Sequence, residues 1–143
     1  MAGLIEAAGG RPVTLHRAFD VCRDPVAALE QAITLGVGTI LTSGQAENAW
    51  AGCHLIGRLL ERAGGRADIL IGGGVNAGVI RDFRREFPLA RAFHLSGKQV
   101  LDSGMTWRNE RVNMGLPGIS EFQVWRTDEG AIRAAAQALE ETP

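Results

Sequence analysis

Short apolar runs alternate along this chain with longer segments whose apolar residues recur every three or four positions, the pattern of strands alternating with amphipathic helices. Residues 13–19, Val-Thr-Leu-His-Arg-Ala-Phe, read as a first strand. Asp24 then offers an N-cap with Pro25 at the first helical position. This predicts a helix to about Leu35, with a buried stripe of Val26, Leu29, Ala32 and Ile33 and a stop at Gly36. The unit repeats. Residues 39–43 form a strand, and residues 47–62 a helix with Leu55, Ile56, Leu59 and Leu60 inward and Gly64-Gly65 as its stop. Residues 68–71 form a third strand, followed by a triple-glycine turn, Asn76 as cap, and a helix over Val79, Ile80, Phe83 and Phe87 that ends before Pro88.

The fourth strand covers residues 92–95. An irregular stretch over 102–118, a short extended piece at 122–125 and an Ala-rich helix capped by Thr127 complete the reading. Residues 1–10 look like the last turns of a helix halted by Gly9-Gly10. Repeated strand–helix units imply right-handed crossovers and a parallel sheet. Four units of similar length without an internal switch point favour a barrel segment over a flavodoxin-like, doubly wound sheet.

The 143 residues suit one domain, and 45% hydrophobic content suits a packed core. The formal net charge of -1 provides no long-range field to attract nucleic acid or an anionic membrane, and neither is expected as a partner. No apolar run reaches the ~18 residues of a spanning helix, and the N-terminus lacks a secretion-signal pattern. Cys22 and Cys53 show neither a disulfide framework nor a C-x-x-C spacing, so they read as reduced thiols and the cytoplasm is the expected location.

In parallel α/β proteins chemistry gathers where strands end. Alternation along the first strand puts Thr14, His16 and Ala18 on one side and Val13, Leu15, Arg17 and Phe19 on the other. His16 is thereby a candidate general base or ligand. Asp20 either orients it or anchors a turn, and Arg17 either anchors an anion or pairs with a helix carboxylate. Thr42 and Ser43 bring hydroxyls to the second strand end, where capping is the competing role. Gly72, Gly73 and Gly74 before a helix, with Ser96, Gly97 and Lys98 at the next strand end, form a candidate anion clamp, although glycines also simply permit tight turns. Lys98 is the sole lysine, hence the single possible Schiff-base position.

Such a constellation suits an isomerase, lyase or aldolase acting on a phosphorylated or anionic small metabolite. His54 and Cys53 are adjacent on a helix and diverge, His94 has a core role as its competing reading, and Cys22 is a lone thiol, so no metal ligand set is assignable from the sequence. The 104–115 loop, with Met105, Trp107 and Arg108, suits a lid or a partner surface. A non-catalytic interaction module built on that loop and on open sheet edges is a third reading.

Val-Thr-Leu-His-Arg-Ala-Phe-Asp at 13–20, Leu-Thr-Ser-Gly at 41–44, Ile-Gly-Gly-Gly-Val at 71–75, Phe-His-Leu-Ser-Gly at 93–97 and Asp-Ser-Gly-Met-Thr-Trp-Arg-Asn at 102–109 together resemble the CutC copper homeostasis family. The resemblance implies a cytoplasmic (β/α)8 barrel with a role in copper binding or trafficking, and copper as its ion. It also implies that residues 1–143 form a single, N-terminally truncated domain holding the last four strands, half of a TIM barrel. Neither cysteine matches a family metal motif. Four parallel strands do not close a barrel, so a homo-oligomer or a complementary barrel half is the expected partner.

Overall fold

The computed structural model describes residues 1–109, 111, 112, 114 and 120–141. Its centre is a four-stranded parallel sheet in sequential order: β1 (Thr14–Leu15), β2 (Thr39–Thr42), β3 (Asp68–Gly72) and β4 (Ala92–His94). Between them run α2 (Pro25–Thr34), α3 (Cys53–Ala63) and α4 (Ala77–Glu86), with α1 (Ala2–Ala7) before β1 and α5 (Glu129–Glu140) near the end of the chain. Helix starts follow local chemistry. The Asp24 carboxylate accepts from the Val26 and Ala27 N–H groups at 3.0 Å each, and Asn76 Oδ1 accepts from Val79 N–H at 3.1 Å. Gly64 closes α3 in the left-handed conformation, at φ 54°.

Pairing register divides the sheet into two unequal faces. Leu15, Ile40 and Ile69 lie side by side, as do Thr42, Ile71 and Phe93, and these residues face the helices. Ile40, Ile69 and Ile71 are buried there with Phe19, Leu29, Ile56, Leu59 and Phe83 in one continuous core. Trp50 meets Phe83 edge-on at 5.4 Å between ring centroids and fixes the loop after β2 against α4. The opposite face carries Thr14, Thr39 and Asp68 in one row and Leu41, Leu70 and Ala92 in the next. Leu41, Leu70 and Ala92 are only half-buried, and Thr14, Asp68 and His94 are exposed. No helix among the described residues is long and apolar enough to cross a membrane.

Several elements differ from the sequence expectation. The first strand stops at Leu15, and Arg17–Val21 form a 3-10 turn whose first N–H groups are met by His16: its Nδ1 accepts from Ala18 N–H at 3.0 Å. The helix expected from residue 47 begins at Cys53, because Gly44 to Gly52 make a tight loop closed by backbone contact. Asp128, not Thr127, caps α5, accepting from Gly130 N–H at 2.9 Å.

The largest difference is an antiparallel ribbon. β5 (Lys98–Asp102) pairs with β6 (Gln123–Thr127), where the sequence reading assigns no strand to residues 98–102 and only a lone extended piece at 122–125. Both strands are exposed on both faces, so no alternation of polarity announces them. Of the 102–118 stretch, residues 110, 113 and 115–119 lie outside the described residues.

Candidate functional site at the strand ends

The site is organised by Asp20, whose side chain is 8% exposed. The 3-10 turn swings it away from His16 and across to the end of β2. There Oδ1 accepts from the Thr42 hydroxyl at 2.5 Å and from Gln45 N–H at 3.3 Å. Ser43 N–H lies 3.1 Å from Oδ2 and 3.2 Å from Oδ1, and Arg17 Nε donates to Oδ2 at 2.7 Å. Burial alone pushes this carboxyl upward, but the hydrogen bonds from Thr42, Arg17 and Ser43 outweigh it and hold the group below its ordinary value. Asp20 is therefore a fixed anion that anchors the β2 loop. It does not orient His16, and the expectation of a His16–Asp20 acid/base pair is corrected on that ground.

Thr42 and Ser43 are both fully buried. Thr42 Oγ1 donates to Asp20 and accepts from Gly44 N–H at 2.9 Å. Ser43 Oγ accepts from Arg17 Nη2 at 2.6 Å and has one proton to divide between the Ala46 carbonyl at 2.7 Å and Asp20 Oδ2 at 3.0 Å. Both hydroxyls are consumed internally, so neither stands open at the mouth.

Arg17 is the group that reaches outward. Its guanidinium is fixed by Asp20 and Ser43, while the side chain stays 45% exposed and, among the described residues, pairs with no carboxylate of an α-helix. A cleft of about 240 Å³ is lined by Arg17, Leu41, Gly73, Gly74, His94 and Ser96, drawn from the ends of β1, β3 and β4 and from the middle of β2. Gly73 sits at φ 104°, and a Cβ there would meet Ser43 Cβ at 3.1 Å and Arg17 Nη1 at 3.6 Å, so glycine is required by both conformation and space. Its carbonyl accepts from Ala49 N–H at 2.8 Å and joins the β2 and β3 loops. Gly72 has an ordinary φ; it lies in β3, where a Cβ would meet the Leu41 Cδ1 methyl at 2.6 Å and require that side chain to move.

Ser96, Gly97 and Lys98 line a neighbouring groove of about 450 Å³ with Asn76, Gly78 and Ala131, between the start of α4 and α5. Lys98 is drawn over the Trp125 ring, its Nζ 3.5 Å from the centroid. Arg108 bonds to Asp102 at 2.6 Å and to the Ser103 carbonyl at 2.8 Å, which holds it at the ribbon.

Gln45 is a site residue that the sequence reading misses. It holds φ 57° without being glycine, and its Nε2 donates to the Cys22 carbonyl at 2.6 Å, tying the end of the 3-10 turn to the β2 loop. The only available signal is its place after Ser43-Gly44.

Among the described residues no three His, Cys, Asp or Glu side chains come together to hold a metal. Cys22 has Gln45 Nε2 at 3.5 Å from its sulfur, and burial, with the charges of Asp24 and Asp20 nearby, pushes its thiol up and away from the thiolate that binds soft metals.

This arrangement defines a parallel α/β protein with its polar groups gathered at the carboxyl ends of the strands. The CutC family model matches residues 1–99, and the chain belongs to the CutC family. It is 47% identical over 135 residues to a family protein CutC from Parabacteroides distasonis, covering 94% of this chain and 55% of that protein. It is 44% identical over 125 residues to the human copper homeostasis protein cutC homolog, covering 85% of this chain and 45% of that one. CutC from Streptococcus agalactiae superposes with a TM-score of 0.58 at 32% identity, over 64% of this chain and 45% of that structure. The chain thus spans about half the length of the curated relatives it matches.

Proposed function

We propose that this chain supplies the last four β/α units of a CutC-type (β/α)8 barrel and serves copper homeostasis, the role for which its human relative is named. The observation that carries the reading is the Asp20 network. It binds the His-Arg-Ala-Phe-Asp segment to the Leu-Thr-Ser-Gly segment, so that the two most distinctive family-like motifs form one structural unit at the strand ends. Sequential parallel order from β1 to β4 and a span of about half the relatives' length support the barrel-half reading. Copper is the cargo of the assembled protein; among the described residues of this chain no three His, Cys, Asp or Glu side chains gather to hold it. Reduced thiols suit a cytoplasmic location.

The test is growth in a graded copper series. Cells lacking the gene are expected to be sensitised; the wild-type gene restores tolerance, and Arg17→Ala, which spares the Asp20–Thr42 bond, restores it poorly. Identical growth with and without the gene overturns the proposal.

A second reading has the rim cleft in its favour: Arg17, Gly73 and Ser96 suit a small anion, the ligand class of an isomerase, lyase or aldolase acting on a phosphorylated metabolite. Its acid/base chemistry is weakened because His16 Nδ1 is occupied by Ala18 N–H and Asp20 is saturated with donors.

A further inference from the structure

Two cavities adjoin at the strand ends, and they differ in chemistry. The rim cleft of about 240 Å³ and the groove of about 450 Å³ share Gly74, Val75, Leu95 and Ser96 in their walls, so one opens beside the other. Small-molecule sites usually run to ~300–1,000 Å³. The cleft alone falls short of that range, and a ligand held there has the groove to extend into.

Charge is divided unequally between the two. In the cleft, Arg17 spends Nε on Asp20 and Nη2 on Ser43, which leaves Nη1 with no hydrogen-bond partner among the described residues. No carboxylate stands in the described lining of either cavity. In the groove the one cation among the described residues is Lys98, and its Nζ is taken by the Trp125 ring at 3.5 Å. Asn76 Oδ1 is spent on Val79 N–H at 3.1 Å. Apart from these two and Ser96, the groove wall is glycine and the apolar Val75, Ala77, Leu95, Ala131 and Ala134. Its α5 side is held in place. Asp128 N–H donates to the Gly97 carbonyl at 2.7 Å, and Ala135 and Ala138 are buried with Ile80 of α4.

Resting on the small-anion reading of the rim cleft, we propose that the ligand of this rim is a phosphomonoester with an apolar body. Its phosphate meets Arg17 Nη1, and an uncharged ring or short chain lies in the groove between α4 and α5. A polyhydroxylated body suits the groove poorly, because hydroxyls leaving water against Val75, Ala77, Leu95, Ala131 and Ala134 find no partners there. An apolar body gains by the same transfer. A second charged end is disfavoured too, since the cation of the groove is already engaged at Trp125.

The test titrates inorganic phosphate, glycerol phosphate and phenyl phosphate into the isotopically labelled full chain and follows its amide resonances. Phenyl phosphate is expected to bind about tenfold tighter than glycerol phosphate, with shifts at Ala77, Ala131 and Ala134 as well as at Arg17 and Gly73. Ala134 lines the groove and not the cleft. Ala134→Leu is therefore expected to remove the preference for phenyl phosphate and to leave inorganic phosphate binding unchanged; a preference that persists in this variant contradicts the groove as the seat of the body. Equal affinities for the two esters, or binding of inorganic phosphate alone, overturn the apolar-body proposal while leaving the small-anion reading intact. Phenyl phosphate binding that survives Arg17→Ala overturns the placement of the phosphate. Failure of all three to bind overturns the small-anion reading and the proposal with it.

Discussion

The Asp20 carboxylate accepts the Thr42 hydroxyl proton at 2.5 Å across 22 residues of chain, and this contact ties the turn after β1 to the end of β2. Asp20→Asn keeps the shape but puts an amide among donors and removes the charge. A loss of about 3 kcal/mol is expected, because a buried charge and its partners are separated. Thr42→Val, which removes one hydroxyl, is expected to cost about 1–2 kcal/mol. Urea unfolding of the three proteins checks the order, and an Asp20→Asn protein as stable as wild type refutes it.

The pH dependence follows from the direction of the Asp20 shift. Its folded-state value lies below the ordinary 3.8, so its contribution is full above that pH and is lost as pH falls through the lower, folded value. The stability gap between wild type and Asp20→Asn is therefore expected to be constant from pH 7 to 5 and to close below about pH 4. Glu30 adds a second, weaker acid step. Hydrogen bonds from Arg66 and Arg62 bring it from 4.5 to about 2, but it faces solvent, so its share falls with added salt. Thermal melts at several pH values, in low and high salt, separate the two.

Gly44 and Gly36 both hold positive φ, 71° and 86°, so an alanine at either position suffers similar backbone strain. They differ in their surroundings. A Cβ on Gly44 would lie 2.3 Å from the Gly52 carbonyl oxygen, whereas Gly36 opens onto empty space. Gly44→Ala is expected to cost at least about 2 kcal/mol more than Gly36→Ala. Equal losses in denaturant titrations would mean that the β2 loop is not closed by that backbone contact.

Copper titration addresses the donor set directly. With no three ligating side chains brought together among the described residues, the full chain alone is expected to bind Cu(I) weakly, competing poorly with a chelating indicator. Stoichiometric binding that disappears in a Cys22→Ala/Cys53→Ala variant would show that the thiols converge after all.

The helix boundaries were legible where a side chain meets its own local backbone. Asp24-Pro25 and Asn76 mark their helices in sequence and cap them in the structure. The end of the first strand was not legible, because its alternation continues through Phe19 while the backbone turns at His16 to deliver Asp20 to Ser43, a tertiary demand with no local signature. The β5–β6 ribbon was hidden for the opposite reason: its residues are exposed on both faces and carry no period. Arg17, Ser43, Gly73 and Ser96 were individually visible as strand-end residues. That Ser43 would be buried and Arg17 left facing the cleft depends on the 3-10 turn, which the strand reading omitted.

The claim that these strand ends form one rim is tested most directly by titrating inorganic phosphate into the isotopically labelled chain and following amide and guanidinium resonances. Concerted shifts at Arg17, Gly73, Gly74 and Ser96 with a single dissociation constant, abolished by Arg17→Ala, are the expected result. Shifts scattered over residues far from that cleft, or a response that survives loss of Arg17, would contradict it.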